Sequence, residues 1–196
     1  MATARDITVC TLTMPDGSRA EMLERNKKSV REQTQPVYAH LIDDAPGDMG
    51  DLYNNLVDKV ETEWVALLDD DNYWHGHHVN TIVQALHNAD VVYTWDSSGS
   101  RPRHNVNDKP YEWIEWLGED SNWLDTSCAY RVSKWKEIGG MAGADGTQLK
   151  DWDLCKRMVE AKARFVCVPQ ATWRYSQFLW DGHVMRDTEG LFQKEL

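Results

Sequence analysis

Three consecutive aspartates, Asp69–Asp71, directly follow the apolar run Trp64–Leu68. Carboxylates this close together repel one another unless a cation neutralises them or water solvates them. Hard oxygen ligands of this kind select Mg²⁺ or Mn²⁺, and such an ion can bridge to a diphosphate. The alternative is an acidic turn whose carboxylates interact favourably with the N-terminus of the following helix. We favour a ligand site, because ligands of an open parallel sheet bind beyond the carboxyl ends of its strands.

Strand-like and helix-like segments alternate around these aspartates. A run that is apolar at every position, such as Trp64–Leu68, is typical of a central strand covered on both faces. Ser18 and Glu21 form a capping-box pattern for a helix that we expect to reach about Gln33. The helix after the aspartates has apolar residues at the spacing of one buried stripe, namely Val79, Ile82, Val83 and Leu86. Further strands are expected at Ile7–Leu12, Val37–Ile42 and Asp90–Thr94.

This β-α-β-α-β-α-β order predicts a mainly parallel, doubly wound sheet with helices on both faces, which is a three-layer α/β/α fold. The second half is less regular, with a polar loop expected at residues 96–110. Its expected strands are Ser127–Arg131 and Phe165–Val168, and its expected helices are Ser133–Ile138 and Leu149–Ala161. We expect residues 1–196 to form a single domain.

Composition limits the classes of function. The chain has 196 residues and a net charge of −11, which argues against extended contact with nucleic-acid phosphates. No apolar stretch reaches the roughly 18 residues that a membrane span needs, and the N-terminus lacks a signal-peptide apolar region. We therefore expect a cytoplasmic protein. The spacing of Cys10, Cys128, Cys155 and Cys167 matches neither a zinc ribbon nor a redox motif, so we expect free, buried thiols.

The segment Leu68–Trp74, between an apolar strand and an amphipathic helix, resembles the DXD region of the family 2 inverting glycosyltransferases, which have the GT-A fold. The resemblance covers roughly residues 6 to 175. Further segments resemble family motifs in the family's order: Ile7–Thr11, Asp43–Asp44, Ser127–Arg131 with Ile138–Met141, and Lys150–Leu154. It implies a nucleotide-sugar-binding half at about 1–95 and an acceptor half at about 96–196.

The resemblance also implies roles for individual residues in donor binding. Thr11 and Asp44 would contact the nucleotide, while Asp69 and Asp70 would hold the ribose and complete the coordination sphere. Asp71 would bind Mn²⁺ or Mg²⁺. The donor would be a UDP- or GDP-sugar.

In the acceptor half, Asp151 would be the base that deprotonates the acceptor hydroxyl, and direct attack would invert the anomeric configuration. Asp153, Trp123 and Arg131 are candidates for acceptor contact or support. The chain is compact for this fold, which leaves a partner or a homodimer open as the means of completing the acceptor site.

Two positions depart from the family's pattern. Lys150 stands where the family has the first acid of a Glu-Asp pair, and its positive charge is expected to lower the pKa of Asp151. The family often has a histidine shortly after an aromatic-Arg pair, but here the residues after Trp173–Tyr175 are Ser176 and Gln177. His183 is the nearest histidine, and it is either a metal ligand or a solvated surface residue.

Several other groups have two interpretations. Trp113, Trp116 and Trp123 either stack on an acceptor sugar or pack a helix onto the core. His75, His77 and His78 fit no common zinc spacing, so we favour a non-metal role for them. Arg101, Arg103 and Lys109 either close over a diphosphate or are ordinary solvated loop charges, and we favour the second.

Two other functions compete with sugar transfer. A nucleotidyltransferase would be expected to have a Gly-rich, basic loop after the first strand, which Thr11–Pro15 is not. A non-catalytic module that binds nucleotide sugars or carbohydrates stays open because of Lys150.

Overall fold

A computed structural model describes residues 3–99, 103–107, 109–120, 124–144, 150–176, 179–180, 184–186 and 194–195. After a short 3-10 turn, the strands are β1 Ile7–Leu12, β2 Ala39–Asp43, β3 Trp64–Leu67, β4 Tyr73–Trp74, β5 Val91–Asp96, β6 Ala129–Arg131, β7 Phe165–Arg174, β8 Leu179–Trp180, β9 Val184–Arg186 and β10 Lys194–Glu195. The helices are α1 Ala20–Arg31, α2 Met49–Asp58, α3 His78–Leu86, α4 Tyr111–Asp120, α5 Val132–Glu137 and α6 Lys150–Glu160.

Seven of the strands form one sheet in the order β2-β1-β3-β6-β5-β7-β4. β1 runs parallel to both β2 and β3, and β5 runs parallel to β7. β6 lies antiparallel between β3 and β5, and the two-residue β4 pairs antiparallel with the end of β7. The prediction of a mainly parallel α/β sheet is therefore confirmed, and β6 is the inserted antiparallel strand. β8, β9 and β10 form a small antiparallel sheet of their own.

The central strand β3 explains the two-sided core. Trp64, Val65, Ala66, Leu67 and Leu68 are all essentially inaccessible to solvent. Val65 and Leu67 join one hydrophobic cluster, whereas Trp64, Ala66 and Leu68 join a second cluster. Because alternate side chains of a strand point to opposite faces, the sheet is covered on both sides. This is the three-layer arrangement expected from the sequence.

The helix after the aspartates confirms its predicted stripe. Val79, Ile82 and Leu86 of α3 are fully buried, and Val83 packs against the same cluster from a partly buried position. Burying each such side chain contributes roughly 1.5–3 kcal/mol relative to leaving it exposed. This burial holds α3 against the sheet, where it contacts β5 and β7.

The predicted capping box at Ser18 is wrong. The Ser18 hydroxyl and backbone amide both donate to the carboxylate of Asp16, at 2.7 and 2.9 Å. This local turn takes the hydroxyl away from the helix end, and α1 begins at Ala20 with Arg19 as its N-cap residue. The shift places Arg19, rather than Ser18, at the start of the helix.

All four cysteines are free and buried, as expected. Burial raises the pKa of Cys10 and of Cys155 to about 12 and the pKa of Cys167 to about 11. Burial also raises the pKa of Cys128 well above its usual value.

Among the described residues, no helix has the length and apolar character that crossing a bilayer requires.

Candidate functional site

A cavity of about 630 Å³ opens beyond the carboxyl ends of β2, β1 and β3. The segments that follow these three adjacent strands form its walls: Leu12–Pro15, Ala45–Gly47 and Asp69–Asp71. Asp151 from α6 lines the same cavity. The structure therefore brings the three consecutive aspartates Asp69–Asp71, called the acidic run below, together with the predicted base Asp151 in one cleft, although they are far apart in the sequence.

Asp69 is held by two hydroxyl groups. Its carboxylate oxygens accept hydrogen bonds from the Tyr53 hydroxyl at 2.9 Å and the Thr126 hydroxyl at 3.0 Å. The pKa of Asp69 is raised to about 7, mainly by burial and in addition by the neighbouring charges of Asp125 and Asp71. Asp69 is thus held in a fixed orientation, with the carboxyl groups of Asp71 and Asp125 close by in the same cavity.

Asp70 is the most completely enclosed of the three. It is 2% exposed and accepts hydrogen bonds from the Thr13 hydroxyl at 2.8 Å and from Arg19 Nη1 at 2.7 Å. One oxygen faces each donor, so both carboxylate oxygens are already engaged within the protein. Asp70 is therefore positioned to organise the loop after β1 and the start of α1.

Asp71 presents more of its side chain to solvent than Asp70 does, 17% against 3%. Its carboxylate lies 3.3 Å from Arg19 Nη1, and its backbone carbonyl accepts hydrogen bonds from Arg25 and Ser176. The pKa of Asp71 is raised to about 6, mainly by burial and in addition by the carboxylates of Asp70 and Asp125, while Arg19 opposes the rise. Asp71 is thus the member of the run best placed to meet a ligand.

Asp125 is a further carboxylate of the cavity, which sequence reasoning missed. It is 7% exposed and accepts a hydrogen bond from the Ser127 amide at 3.0 Å. The signal available in the sequence was the turn-forming series Asp125–Ser127 just before a short strand. That pattern predicts a turn but does not predict that the turn meets the acidic run.

Asp151 lies in the first turn of α6, and its carboxylate accepts a hydrogen bond from the Trp152 amide at 2.9 Å. The adjacent Lys150 is 9% exposed and does not line the cavity. Its ammonium group binds the carbonyls of Ala142 and Gly143 and the carboxylate of Asp48. Lys150, which stands where the resembled Glu-Asp motif has its first acid, therefore makes a buried structural contact.

The two other predicted donor contacts lie outside the cavity lining. Thr11 is fully buried, and its hydroxyl binds the Leu68 carbonyl at 2.7 Å and the His40 ring at 2.9 Å within the fold. Asp44 is exposed, while the next residue, Ala45, lines the cavity. Thr13, two residues after Thr11, is the hydroxyl of this strand end that reaches the acidic run.

Two of the predicted support residues, Asp153 and Arg131, also lie apart from the cavity lining. Asp153 binds Arg157 on the same helix, with oxygen-to-nitrogen distances of 2.6 and 2.8 Å. Arg131 pairs in register with Trp64, at the opposite end of β3 from the aspartates. There it stacks on the Trp64 ring and pairs with Glu63, which explains it as a structural residue.

Some of the other candidates pack in or against the hydrophobic core, and some lie outside the residues that the structure describes. His78 is buried, stacks on Trp74 and bonds to the Thr172 hydroxyl, so it is a core histidine. Trp113 packs against the core from a partly buried position, as in the helix-packing interpretation. Arg101, Trp123, His183 and the side chain of Trp116 lie outside the part of the chain that the structure describes.

Within the described ranges, no group of three or more His, Cys, Asp or Glu side chains has the arrangement of a metal site. Protein donors already engage both oxygens of the Asp69 and Asp70 carboxylates. The described part of the chain therefore has no preformed all-protein cage. The carboxylates that line the cavity could instead hold an ion through one or two of their oxygens, with the other ligand atoms supplied by the oxygens of a bound ligand. This is a common form of Mg²⁺ binding.

Comparison with solved structures relates the fold to nucleotide-sugar complexes. The chain is similar to S. aureus TarS residues 1–349 in complex with UDP-GlcNAc, with a TM-score of 0.67 and 12% identity over 86% of this chain and 58% of that one. It is also similar to mannosyltransferase PcManGT from Pyrobaculum calidifontis in complex with GDP-Man and Mn²⁺, with a TM-score of 0.62 and 12% identity over 87% and 57%.

The chain thus spans less than two thirds of the length of these two proteins. No protein-family model and no curated protein matches it in sequence. The likeness is therefore one of fold: the chain has a GT-A-like α/β/α architecture with a mostly parallel sheet.

Proposed function

We propose that this chain is a glycosyltransferase that moves a sugar from a nucleotide-diphosphate donor, a UDP- or GDP-sugar, to an acceptor hydroxyl. The observation that carries the proposal is that Asp151 and Asp69–Asp71 line one cavity at the carboxyl edge of the sheet. The fold neighbours support the donor class, because they are bound to UDP-GlcNAc and to GDP-Man. Family 2 membership and an inverting reaction are parts of this proposal.

The donor-binding part of the proposal assigns the three aspartates to the diphosphate side of the cavity. Asp71 would hold a divalent ion, Mn²⁺ or Mg²⁺, and the ion would neutralise the charge of the departing diphosphate. The residues fit such an ion, because the carboxylates of Asp69, Asp71 and Asp125 lie close enough to repel one another, and a divalent cation would relieve this repulsion. The presence of Mn²⁺ in the PcManGT complex supports the same assignment.

The remaining steps belong to residues of this chain. Asp151 takes the proton from the acceptor hydroxyl, whose oxygen then attacks the anomeric carbon as the bond to the diphosphate oxygen breaks. One base and one direct displacement give inversion of configuration. Asp70 and Thr13 hold the loop after β1, and Asp69 is oriented by Tyr53 and Thr126.

The proposal extends to the acceptor side of the cavity. We propose that a partner or a second copy of the chain supplies further acceptor contacts. This proposal concerns binding of the acceptor only, since the base and the acidic run are already together in one chain.

Release of nucleoside diphosphate from a panel of UDP- and GDP-sugars, measured with and without Mn²⁺, tests the proposed function. A glycosyltransferase is expected to hydrolyse its own donor slowly, and only in the presence of the ion. A module that binds sugar nucleotides without catalysis would bind one of the panel and release no nucleoside diphosphate. Absence of binding to every member of the panel would overturn the proposal.

A further inference from the structure

Arg19 contacts the side-chain carboxylates of both Asp70 and Asp71. It lies at the N-cap of α1, and its guanidinium lines the cavity beside Asp70 and Asp71. A single nitrogen, Nη1, is 2.7 Å from the Asp70 carboxylate and 3.3 Å from that of Asp71. The Arg19 side chain is 35% exposed, so it faces the open part of the cavity while Asp70 is almost fully enclosed.

The two contacts of Arg19 are unequal. The contact with Asp70 has the length of a strong charge-assisted hydrogen bond, and the Thr13 hydroxyl holds the same carboxylate from its other side. The contact with Asp71 is longer, and the Asp71 carboxylate is the more exposed of the two. Arg19 can therefore leave Asp71 at lower cost than it can leave Asp70.

An ion bound at Asp71 would lie close to the guanidinium, and two cations at this separation repel one another. A diphosphate changes the balance, because its oxygens accept paired hydrogen bonds from a guanidinium and ligate a divalent ion. We propose that Arg19 competes with the divalent ion for Asp71 and that the donor diphosphate removes the competition by binding Arg19 itself. This inference rests on the proposed function.

The consequence is coupling between the ion and the donor. Arg19 should weaken binding of the ion to the donor-free protein and strengthen it once a diphosphate is bound. By linkage, the ion must raise the affinity for the nucleotide by the same factor. Arg19 would thus be a diphosphate-contacting residue that also keeps the empty site from holding an ion alone.

Titration of Mn²⁺ by calorimetry or by electron paramagnetic resonance, with and without saturating UDP or GDP, tests this inference without any measurement of turnover. In Arg19→Gln, Mn²⁺ alone should bind about tenfold more tightly than in the wild-type chain, since the loss of one charged contact is worth about that factor. The nucleotide should then enhance Mn²⁺ affinity much less than it does in the wild type. Arg19→Lys, which keeps the charge but loses the planar fork, should lie between the two.

Arg31→Gln is the matched control, because Arg31 is an exposed arginine in the last turn of the same helix. It removes the same charge and should leave both Mn²⁺ affinities within about twofold of the wild type. If the wild-type chain binds Mn²⁺ and nucleotide but both Arg19 variants bind Mn²⁺ with unchanged affinity, the inference is overturned and the proposed function is not. A wild-type chain that binds neither nucleotide would overturn the proposed function, and the inference with it.

Discussion

Lys150 donates a hydrogen bond to the carboxylate of Asp48 at 2.9 Å, which joins the first residue of α6 to the N-cap of α2. The same ammonium binds the carbonyls of Ala142 and Gly143 at 2.9 and 2.8 Å. An ammonium group has three donors, and all three are used here. Because Asp151 follows Lys150 directly, this three-way contact fixes the position of the proposed base relative to the cavity wall.

Replacing Lys150 with methionine should therefore affect both stability and catalysis. The change removes the buried ammonium that donates to the carbonyls of Ala142 and Gly143 and to the partly exposed Asp48 carboxylate. From the two carbonyls left without this donor we expect a loss of about 1–3 kcal/mol in the free energy of unfolding. Chemical denaturation measures this loss. Lys156→Met, at an exposed position of the same helix, is the control and should change stability by about 0.5 kcal/mol or less. Equal stability of the two variants would contradict the structural role of Lys150.

Asp151→Asn is expected to leave donor binding intact and to remove transfer. The amide has nearly the shape of the carboxylate but cannot take a proton from the acceptor, so kcat should fall by about 10²–10⁴-fold. Nucleotide affinity by calorimetry and turnover with a sugar acceptor are the two measurements. Near-normal turnover in this variant would show that another group is the base.

Asp71→Asn should abolish metal-dependent donor binding, because the amide provides a weaker ligand and removes a negative charge. The nucleotide affinity of the variant should not respond to Mn²⁺, whereas that of the wild type should increase. Asp44→Asn is the comparison, since the Asp44 side chain is exposed and does not line the cavity. A response to Mn²⁺ that survives in Asp71→Asn would assign the ion to other ligands.

Buried histidines predict how stability depends on pH. Burial lowers the pKa of His78 to about 3 and the pKa of His40 to about 4. Each folded-state pKa is below the unfolded value near 6.5, so the unfolded chain binds more protons in acid. Stability is then fully present above about pH 6.5 and falls as the pH drops toward 3, by up to about 1.4 kcal/mol per pH unit for each histidine.

His78→Gln should flatten this dependence between pH 6.5 and 4, as measured by urea unfolding at several pH values. His87→Gln, at an exposed position after α3, should leave the slope as it is in the wild type. An unchanged slope in His78→Gln would mean that His78 does not resist protonation in the folded state.

The sequence predicted those parts of the fold that depend on local pattern. The all-apolar run Trp64–Leu68 predicted a central strand and the spacing of Val79, Ile82 and Leu86 predicted a buried helix face, and both are confirmed. The position of β6 could not be read in the same way, because a three-residue strand has too little pattern to fix its direction or neighbours. Its place is set by the tertiary pairing with β3 and β5.

The candidate site shows the same division. The acidic run was apparent because three like residues follow a buried strand, and the structure places it in a cavity with Asp151. Asp125 and Arg19 were missed because each belongs to a turn with ordinary local composition. Their place in the site depends on contacts across about 50 residues of chain, such as Arg19 with Asp70. No local spacing rule reports such a contact.

The four buried thiols make this chain convenient for site-specific labelling. A thiolate is the reactive species, and raised pKa values together with burial keep the native cysteines in the unreactive protonated form. A cysteine introduced at Met49, which is 39% exposed and lines the cavity, would therefore react selectively with a maleimide dye. Such a probe would report nucleotide entry by fluorescence without removal of any native cysteine.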